Sequence, residues 1–324
     1  MTLNSKGKWS VTTLHSFEGT DGSEPNGGLI FDKEGNLYGT TPDGGAYDVG
    51  TVFELTPGSA GWAFAVIYDF CPQYGCPDGG GPLAGLAQDK DGNLMGTARA
   101  GLYDQGVVFE LVPGSDGWSY TVLYNFGSRS HDGSDPMDAP SLDARGNVFG
   151  TTYFGGRDGD GTVFEIRPGA GGWRENLPWQ FNSKNAANPE GAVVFDVKGN
   201  LYGIANGRVN NVFELTPKSP NDKWRETVLY NFSNPEKGFA PISGPALGAG
   251  GVLYGTTALG GAGPCYDGCG VVYKLSPGAG GKWKYTVLHK FSSPAESPPD
   301  GTLILDAKGN LYGTALSVVY EITP

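Results

Sequence analysis

Three carboxylates, Asp138, Glu190 and Asp300, fall at or one place beyond the residue that follows a recurring proline. The prolines are Pro25, Pro82, Pro136, Pro189, Pro241 and Pro299, and the residues after them are Asn26, Leu83, Met137, Glu190, Ile242 and Asp300. A purely structural demand would treat equivalent positions alike. The mixture of amide, apolar and acidic residues therefore points to a locally assigned role, either holding a cation or forming an acid/base pair. The competing account is that a wet opening tolerates any polar group. On the first account Glu190 and Asp300 are the catalytic pair if the protein is an enzyme, with Asn26, Asp138 and His131 around them.

A second set of residues suits binding. Tyr47, Tyr103, Phe154 and Tyr266 lie in Gly-rich loops, with Arg99, Arg157 and Arg208 nearby. A ring beside polar donors stacks on a sugar face, and arginine clamps a carboxylate through two parallel hydrogen bonds. These rings could equally pack their own loops.

Other constellations fall away. Asp89-Lys90-Asp91-Gly92-Asn93 and Asp158-Gly159-Asp160-Gly161 resemble pieces of a calcium loop but have no glutamate at the twelfth position. The first coincides with a repeated hairpin turn, at Asp32, Asp143, Asp196 and Asp306, which is turn chemistry. His15 and His289 stand where other units carry Tyr68, Tyr124, Trp179 and Tyr230, so they are expected to pack. Only His131, in the inserted loop 127–135, sits where a ligand would reach it. A nucleophile elbow, a phosphate loop, a zinc-protease motif and a dinucleotide fingerprint are all missing in credible contexts. No cofactor and no metal are expected.

The elements that position these residues come from an internal repeat. Gly35 to Thr40 reads Gly-Asn-Leu-Tyr-Gly-Thr and returns at Gly92, Gly146, Gly199, Val252 (shortened) and Gly309. The spacing averages about 55 residues, a propeller-blade or solenoid period. Each unit reads as four short strands: an apolar Gly-led one, one after the Asp-x-x-Gly-Asn turn, an alternating one such as Thr51 to Thr56, and one running from Trp62 to Phe70. The chain opens with an orphan fourth strand, Trp9 to Phe17, and its last unit stops after a third, Val318 to Thr323. An open stack would leave both as edges. The expectation is an all-β, six-bladed propeller in one domain, with the N-terminal strand completing the last blade. The blades span about 26–70, 81–126, 137–181, 189–232, 242–291, and 300–324 plus 9–17.

The strings Asp-Gly-x-x-Pro, Gly-Asn-Leu-Tyr-Gly-Thr-Thr, Gly-Gly and Gly-Thr-Val-Phe-Glu-Leu resemble the Gloeo/Verruco (GloVer) tandem repeat of bacterial secreted or surface proteins, over essentially the whole chain. The resemblance implies a repeat architecture and export, and brings no activity with it. The fourth unit departs from the pattern by lacking the Gly-Gly loop between Ile204 and Asn211, and the sixth nearly removes it at Ala315 to Ser317.

Composition narrows the partners. The 324 residues carry 22 Lys+Arg against 34 Asp+Glu, a formal charge of −12, which repels nucleic-acid backbones and anionic membranes. No apolar run approaches the ~18 residues of a membrane span. Met1 to Lys8 has no apolar stretch or cleavage site, so no signal peptide is expected in it. Four cysteines fall as close pairs, and local bridges Cys71–Cys76 and Cys265–Cys269 are expected, with free thiols as the alternative. Bridges would place the protein in an extracellular or periplasmic space. The functional expectation is an exported monomer that binds an extended ligand, a glycan, on its loop-rich face. The alternative is a polysaccharide lyase or glycoside hydrolase using the same face.

Overall fold

The structure is a computed structural model, described for residues 2–3, 9–10, 12–184, 186–207, 209–218, 224–261 and 263–323. Six small antiparallel sheets stand in a ring as a six-bladed β-propeller. Blade 1 comprises Ile30–Phe31, Leu37–Thr41, Thr51–Gly58 and Gly61–Asp69, here called strands a to d. Blades 2 to 4 repeat this order, and blade 5 adds the short strand Phe239–Pro241 beside its strand b, Leu253–Leu259. Blade 6 has three strands, Pro299–Leu305, Leu311–Ala315 and Val318–Ile322.

The repeated residues explain this local structure. In the a–b turn of blade 1, Asp32 accepts the backbone N–H of Asn36 at 2.8 Å and its side-chain amide at 2.8 Å. The same double bond recurs at Asp89–Asn93, Asp143–Asn147, Asp196–Asn200 and Asp306–Asn310. The apparent calcium fragment at 89–93 is this turn. In strand b a glycine is required because the aromatic ring of strand c lies over it. A Cβ on Gly96 would sit 2.3 Å from Phe109 Cζ, and one on Gly255 2.4 Å from Tyr273 Oη.

Strands c and d share a β-bulge in blades 1 to 5, for example between Val52 and Phe53, which turns the end of strand d toward the next blade. The phenylalanine just after strand d then packs on the strand-c ring of its neighbour. Ring centroids are 5.3 Å apart for Phe70–Phe109, 5.2 Å for Phe126–Phe164, 5.3 Å for Phe181–Phe213 and 5.2 Å for Phe291–Tyr320. The apolar core therefore lies in the seams between blades rather than inside any one blade.

The seam between blade 6 and blade 1 is made differently. Phe17 packs on Phe53 at 5.1 Å, so the start of the chain supplies the same wedge as the other seams. The expected strand pairing is not found among the described residues: Trp9–Ser10 pairs with Thr2–Leu3, and Val318–Ile322 pairs only with Leu311–Ala315. Side-chain packing of Phe17 on blade 1 is the part of the closure that is observed.

Candidate functional site

The loops joining strand d to the next strand a, and strand b to strand c, gather on one face. Their geometry is set by the inner prolines. In blades 1 to 5 the residue before the proline is left-handed, with φ of 55° at Glu24, 63° at Gly81, 59° at Asp135, 50° at Asn188 and 55° at Ala240. In blade 6 a cis Ser297–Pro298 bond stands there instead. Pro82, Pro136, Pro189 and Pro299 each also lie against a glycine of the preceding blade: a Cβ on Gly106 would meet Pro136 Cδ at 2.4 Å, and one on Gly161 would meet Pro189 Cδ at 2.6 Å.

At the channel mouth Asp138 is half-buried. It occupies a place held elsewhere by Gly27, Ala84, Gly191, Ser243 and Gly301, where neighbouring backbones approach closely. Its carboxylate accepts the N–H of Gly191 in the next blade. Burial, opposed by that bond and reinforced by Glu190, pushes the Asp138 carboxyl up to about 6. Glu190 is also raised by burial, and accepts from Asn206 Nδ2 at 2.9 Å, while Asn206 donates at 2.9 Å to the Pro241 carbonyl. Asp138 and Glu190 are thus neighbours. Asp300 takes no part in this contact: it is exposed and accepts only the N–H of Gly301, at 2.8 Å. Asn26 is exposed at the same mouth.

Beside the mouth an open groove of about 680 Å³ runs over blades 1 to 3, walled by Asn26, Asp43, Arg99, Gln105, Asp135 and Phe154 among others. Phe154 is 49 % exposed. Tyr47 and Tyr103 are about as exposed and stand on the loops that build the groove, but outside its wall. Arg99 is committed to Asp135 through two bonds of 2.6 and 3.2 Å that tie blade 2 to blade 3. Tyr266 is exposed in blade 5, away from the groove, and Arg208 lies outside the described residues. Tyr74, fully exposed in the loop of the first disulfide, was not singled out by sequence reasoning; its place between two cysteines was the available signal.

His131 and Arg157 come together elsewhere, on the outer side of blade 3. They line a cavity of about 430 Å³ with Arg129, Asp132, Glu175 and Gln180. Arg129 pairs with Glu175 and donates from Nε to the Tyr124 hydroxyl at 3.1 Å. Tyr124 donates to Asp132 at 2.9 Å. Burial and the nearby Asp132 outweigh Arg129 and push the Glu175 carboxyl up to about 8. Arg129 and Glu175 were missed in the sequence. The signal was there: Glu175 is two residues after the strand-d tryptophan, where blades 1, 2 and 5 carry Phe64, Tyr120 and Tyr285.

Both expected disulfides are present, Cys71–Cys76 and Cys265–Cys269, and no cysteine is free. Among the described residues no group of three or more His, Cys, Asp and Glu is placed to hold a metal ion, and no helix is long and apolar enough to cross a membrane. The model of the Gloeobacter/Verrucomicrobia repeat matches residues 1–115 and again 65–221. The chain belongs to the Gloeobacter/Verrucomicrobia repeat family. The second match runs past strand c of blade 4, Asn211–Pro217, and the Gloeobacter/Verrucomicrobia pattern continues beyond it in the glycine and aromatic pairs Gly255–Tyr273 and Gly313–Tyr320. No curated protein matches the chain. Within this repeat the frame residues, Asp, Asn, Gly and Pro, are spent on turns and seams. Asp138, Phe154 and Arg157 differ from their counterparts in other blades, and Glu175 is matched only by Glu226 of blade 4.

Proposed function

We propose that this chain is an exported binding propeller that holds an extended ligand, a glycan, along the groove over blades 1 to 3. The observation that carries the reading is the half-exposed ring of Phe154 in the wall of an open groove whose remaining wall mixes polar side chains with Val49, Leu83 and Ala100. An aromatic face stacks on the C–H face of a sugar, while Asn26, Asp43 and Gln105 offer donors and acceptors to its hydroxyls. The groove is open along its length, which suits a chain rather than an enclosed small molecule. Two disulfides suit an oxidising compartment. The reading has the protein acting as a monomer without cofactor, and neither nucleic acid nor a membrane enters it, in keeping with the net charge of −12.

A carbohydrate-active enzyme is the second reading, and it rests on Asp138 and Glu190. Two neighbouring carboxyls, both raised by burial, at the mouth beside the groove suit a general acid and base pair working in mildly acidic solution. For a hydrolase Glu190 would work with its neighbour Asp138 in place of the exposed Asp300, whereas a lyase would draw its base from His131 and its counter-charge from Arg157 or Arg208.

Binding of wild type and Phe154→Ala to a panel of neutral and acidic oligosaccharides, with product analysis, tests both readings. The binding reading expects affinity that Phe154→Ala weakens about 10-fold or more, without turnover. Turnover abolished by Glu190→Gln with binding kept would replace it by the enzyme. Binding indifferent to Phe154 sinks the groove.

A further inference from the structure

Repetition supplies its own control. Equivalent positions in the blades meet the same backbone and the same seam, so a residue that departs from its counterparts is free of the structural demand they share. Departures scattered around the ring would carry no meaning. Here several fall on one cavity, on the outer side of blade 3.

The first is in the seam. His15 stacks on Phe64 at 3.6 Å, Tyr68 on Tyr120 at 3.9 Å and Tyr230 on Tyr285 at 4.0 Å, so an aromatic pair fills the outer edge of these seams. Between blades 2 and 3 the second ring is replaced by Glu175, as it is by Glu226 between blades 3 and 4, and at Glu175 the seam is left open as the cavity. The second is Arg157. Its backbone N–H is held by Gln180 at 2.9 Å, as Ala46 is by Asp69 at 2.7 Å and Leu102 by Asn125 at 3.2 Å. The frame is identical, but a guanidinium stands where the other blades have alanine or leucine. Its side chain has no hydrogen-bond or ion-pair partner among the described residues. The third is the loop 127–135, which brings Arg129 and His131, the latter in a left-handed conformation with φ of 62°.

Two guanidinium groups and an imidazole thus line one cavity in a chain of strongly acidic balance. The acids that face them are Asp132 and Glu175. Asp132 is buried and occupied by Tyr124 and by the N–H of Gly133. Glu175, raised by its burial, is largely protonated at neutral pH, which leaves Arg129 with charge to spare.

The cavity and the groove flank one short ladder. Gly133–Ser134 pairs with Phe154–Gly155 in a two-stranded ladder. Ser134 and Phe154 wall the groove, while Asp132 and Arg157, one or two residues beyond the ladder, wall the cavity. We propose that the blade 3 cavity is a subsite for an anionic group carried by a sugar residue, held by Arg157, Arg129 and His131, at one end of the ligand that lies along the groove. The specificity is thus for acidic glycans, which rests on the binding reading above; the cavity itself is defined independently of it. A uronic-acid carboxylate and a sulfate ester share the required chemistry, a compact anion with several acceptor oxygens.

Calorimetric titration separates the parts. The probes are glucuronate and a sulfated monosaccharide for the cavity alone, and acidic and neutral oligosaccharides of equal length for the whole face. Wild type is expected to bind at least one of the charged monosaccharides, with affinity falling about 10-fold or more in Arg157→Gln and unchanged in Phe154→Ala. Arg157→Gln leaves the fold intact because its backbone bond to Gln180 is kept, and thermal unfolding verifies this. A preference for glucuronate identifies the carboxylate as the natural group, and a preference for the sulfated sugar the sulfate. No binding of either anion, or binding insensitive to Arg157, overturns the subsite whatever the oligosaccharides do. Conversely, charged monosaccharides that bind through Arg157 while no oligosaccharide responds to Phe154→Ala overturn the groove and leave the subsite standing.

Discussion

Tyr120 lies flat on Tyr68, with ring centroids 3.9 Å apart, and its hydroxyl donates to the Asp78 carbonyl of the adjoining loop. One seam further on, Glu175 takes the place of Tyr120 and meets Tyr124 through its carboxyl rather than through a ring face, at 3.4 Å from the phenol oxygen.

That exchange has a pH signature. Glu175 holds its proton up to about 8 in the folded protein and releases it near the ordinary carboxylate value when unfolded. Between these values the folded state carries the extra proton, so its contribution is full below the unfolded pKa and is lost as pH rises toward 8. Asp138, raised to about 6, adds a slope of the same sign that ends near 6. Thermal unfolding from pH 4.5 to 8.5 is expected to show stability declining over the whole range. Glu175→Gln should confine the decline to the region below about 6, whereas Asp138→Asn should make the decline below about 6 shallower and leave the one toward 8 in place. The Asp32 and Asp196 turns act oppositely: their Asn partners lower both carboxyls, so their contribution is present at higher pH and disappears in strong acid.

Glycine replacements should grade by what the new Cβ meets. Gly96→Ala, facing Phe109, is expected to cost about 1–3 kcal/mol through overpacking alone. Gly117→Ala has φ of 113° and nothing within 4 Å, so only backbone strain applies, about 1–2 kcal/mol. Gly106→Ala suffers both, with φ of 98° and Pro136 in the way, and should be the worst of the three by denaturant unfolding.

The seam phenylalanines should grade by burial. Phe126 is fully buried between blades 2 and 3, and Phe126→Ala is expected to cost about 3–5 kcal/mol. Phe17 makes the same kind of ring contact but is only half-buried, so Phe17→Ala should cost measurably less. An equal loss at both positions would mean that the closing seam is as deep as the others.

The two disulfides should differ in accessibility. Cys269 is completely buried, whereas both sulfurs of the other bridge belong to partly exposed residues. Brief treatment with a mild reductant followed by alkylation should label Cys71 and Cys76 first. Each bridge closes a short loop and is expected to contribute about 2 kcal/mol.

The frame was legible because its residues announce themselves locally. An Asp four residues before an Asn closes a turn by itself, and a glycine after an aromatic recurs with the blade. What could not be read was anything that depends on one blade meeting the next. The contact of Gly106 with Pro136 and the approach of Tyr124 to Glu175 join residues 30 and 51 positions apart. For the same reason Asp138 and Glu190 were both noticed, but Glu190 was matched with Asp300 rather than with the neighbour it has. His131 and Arg157 were singled out as loop residues, while Glu175, on strand d of blade 3, was not. The pairing of the first strand with the last blade is not observed among the described residues, where Trp9–Ser10 pairs with Thr2–Leu3.

Because each apolar cluster belongs to two blades, copy number in this repeat is a geometric quantity. A unit added to or lost from the gene would not lengthen an edge, as it does in an open stack; it would change the circumference, and with it the angle at which every phenylalanine wedge meets its neighbour. Divergence is therefore channelled away from the number of units and into the side chains that no seam uses. Asp138 and Arg157 stand at such positions, so new recognition can accumulate one blade at a time on an unaltered ring.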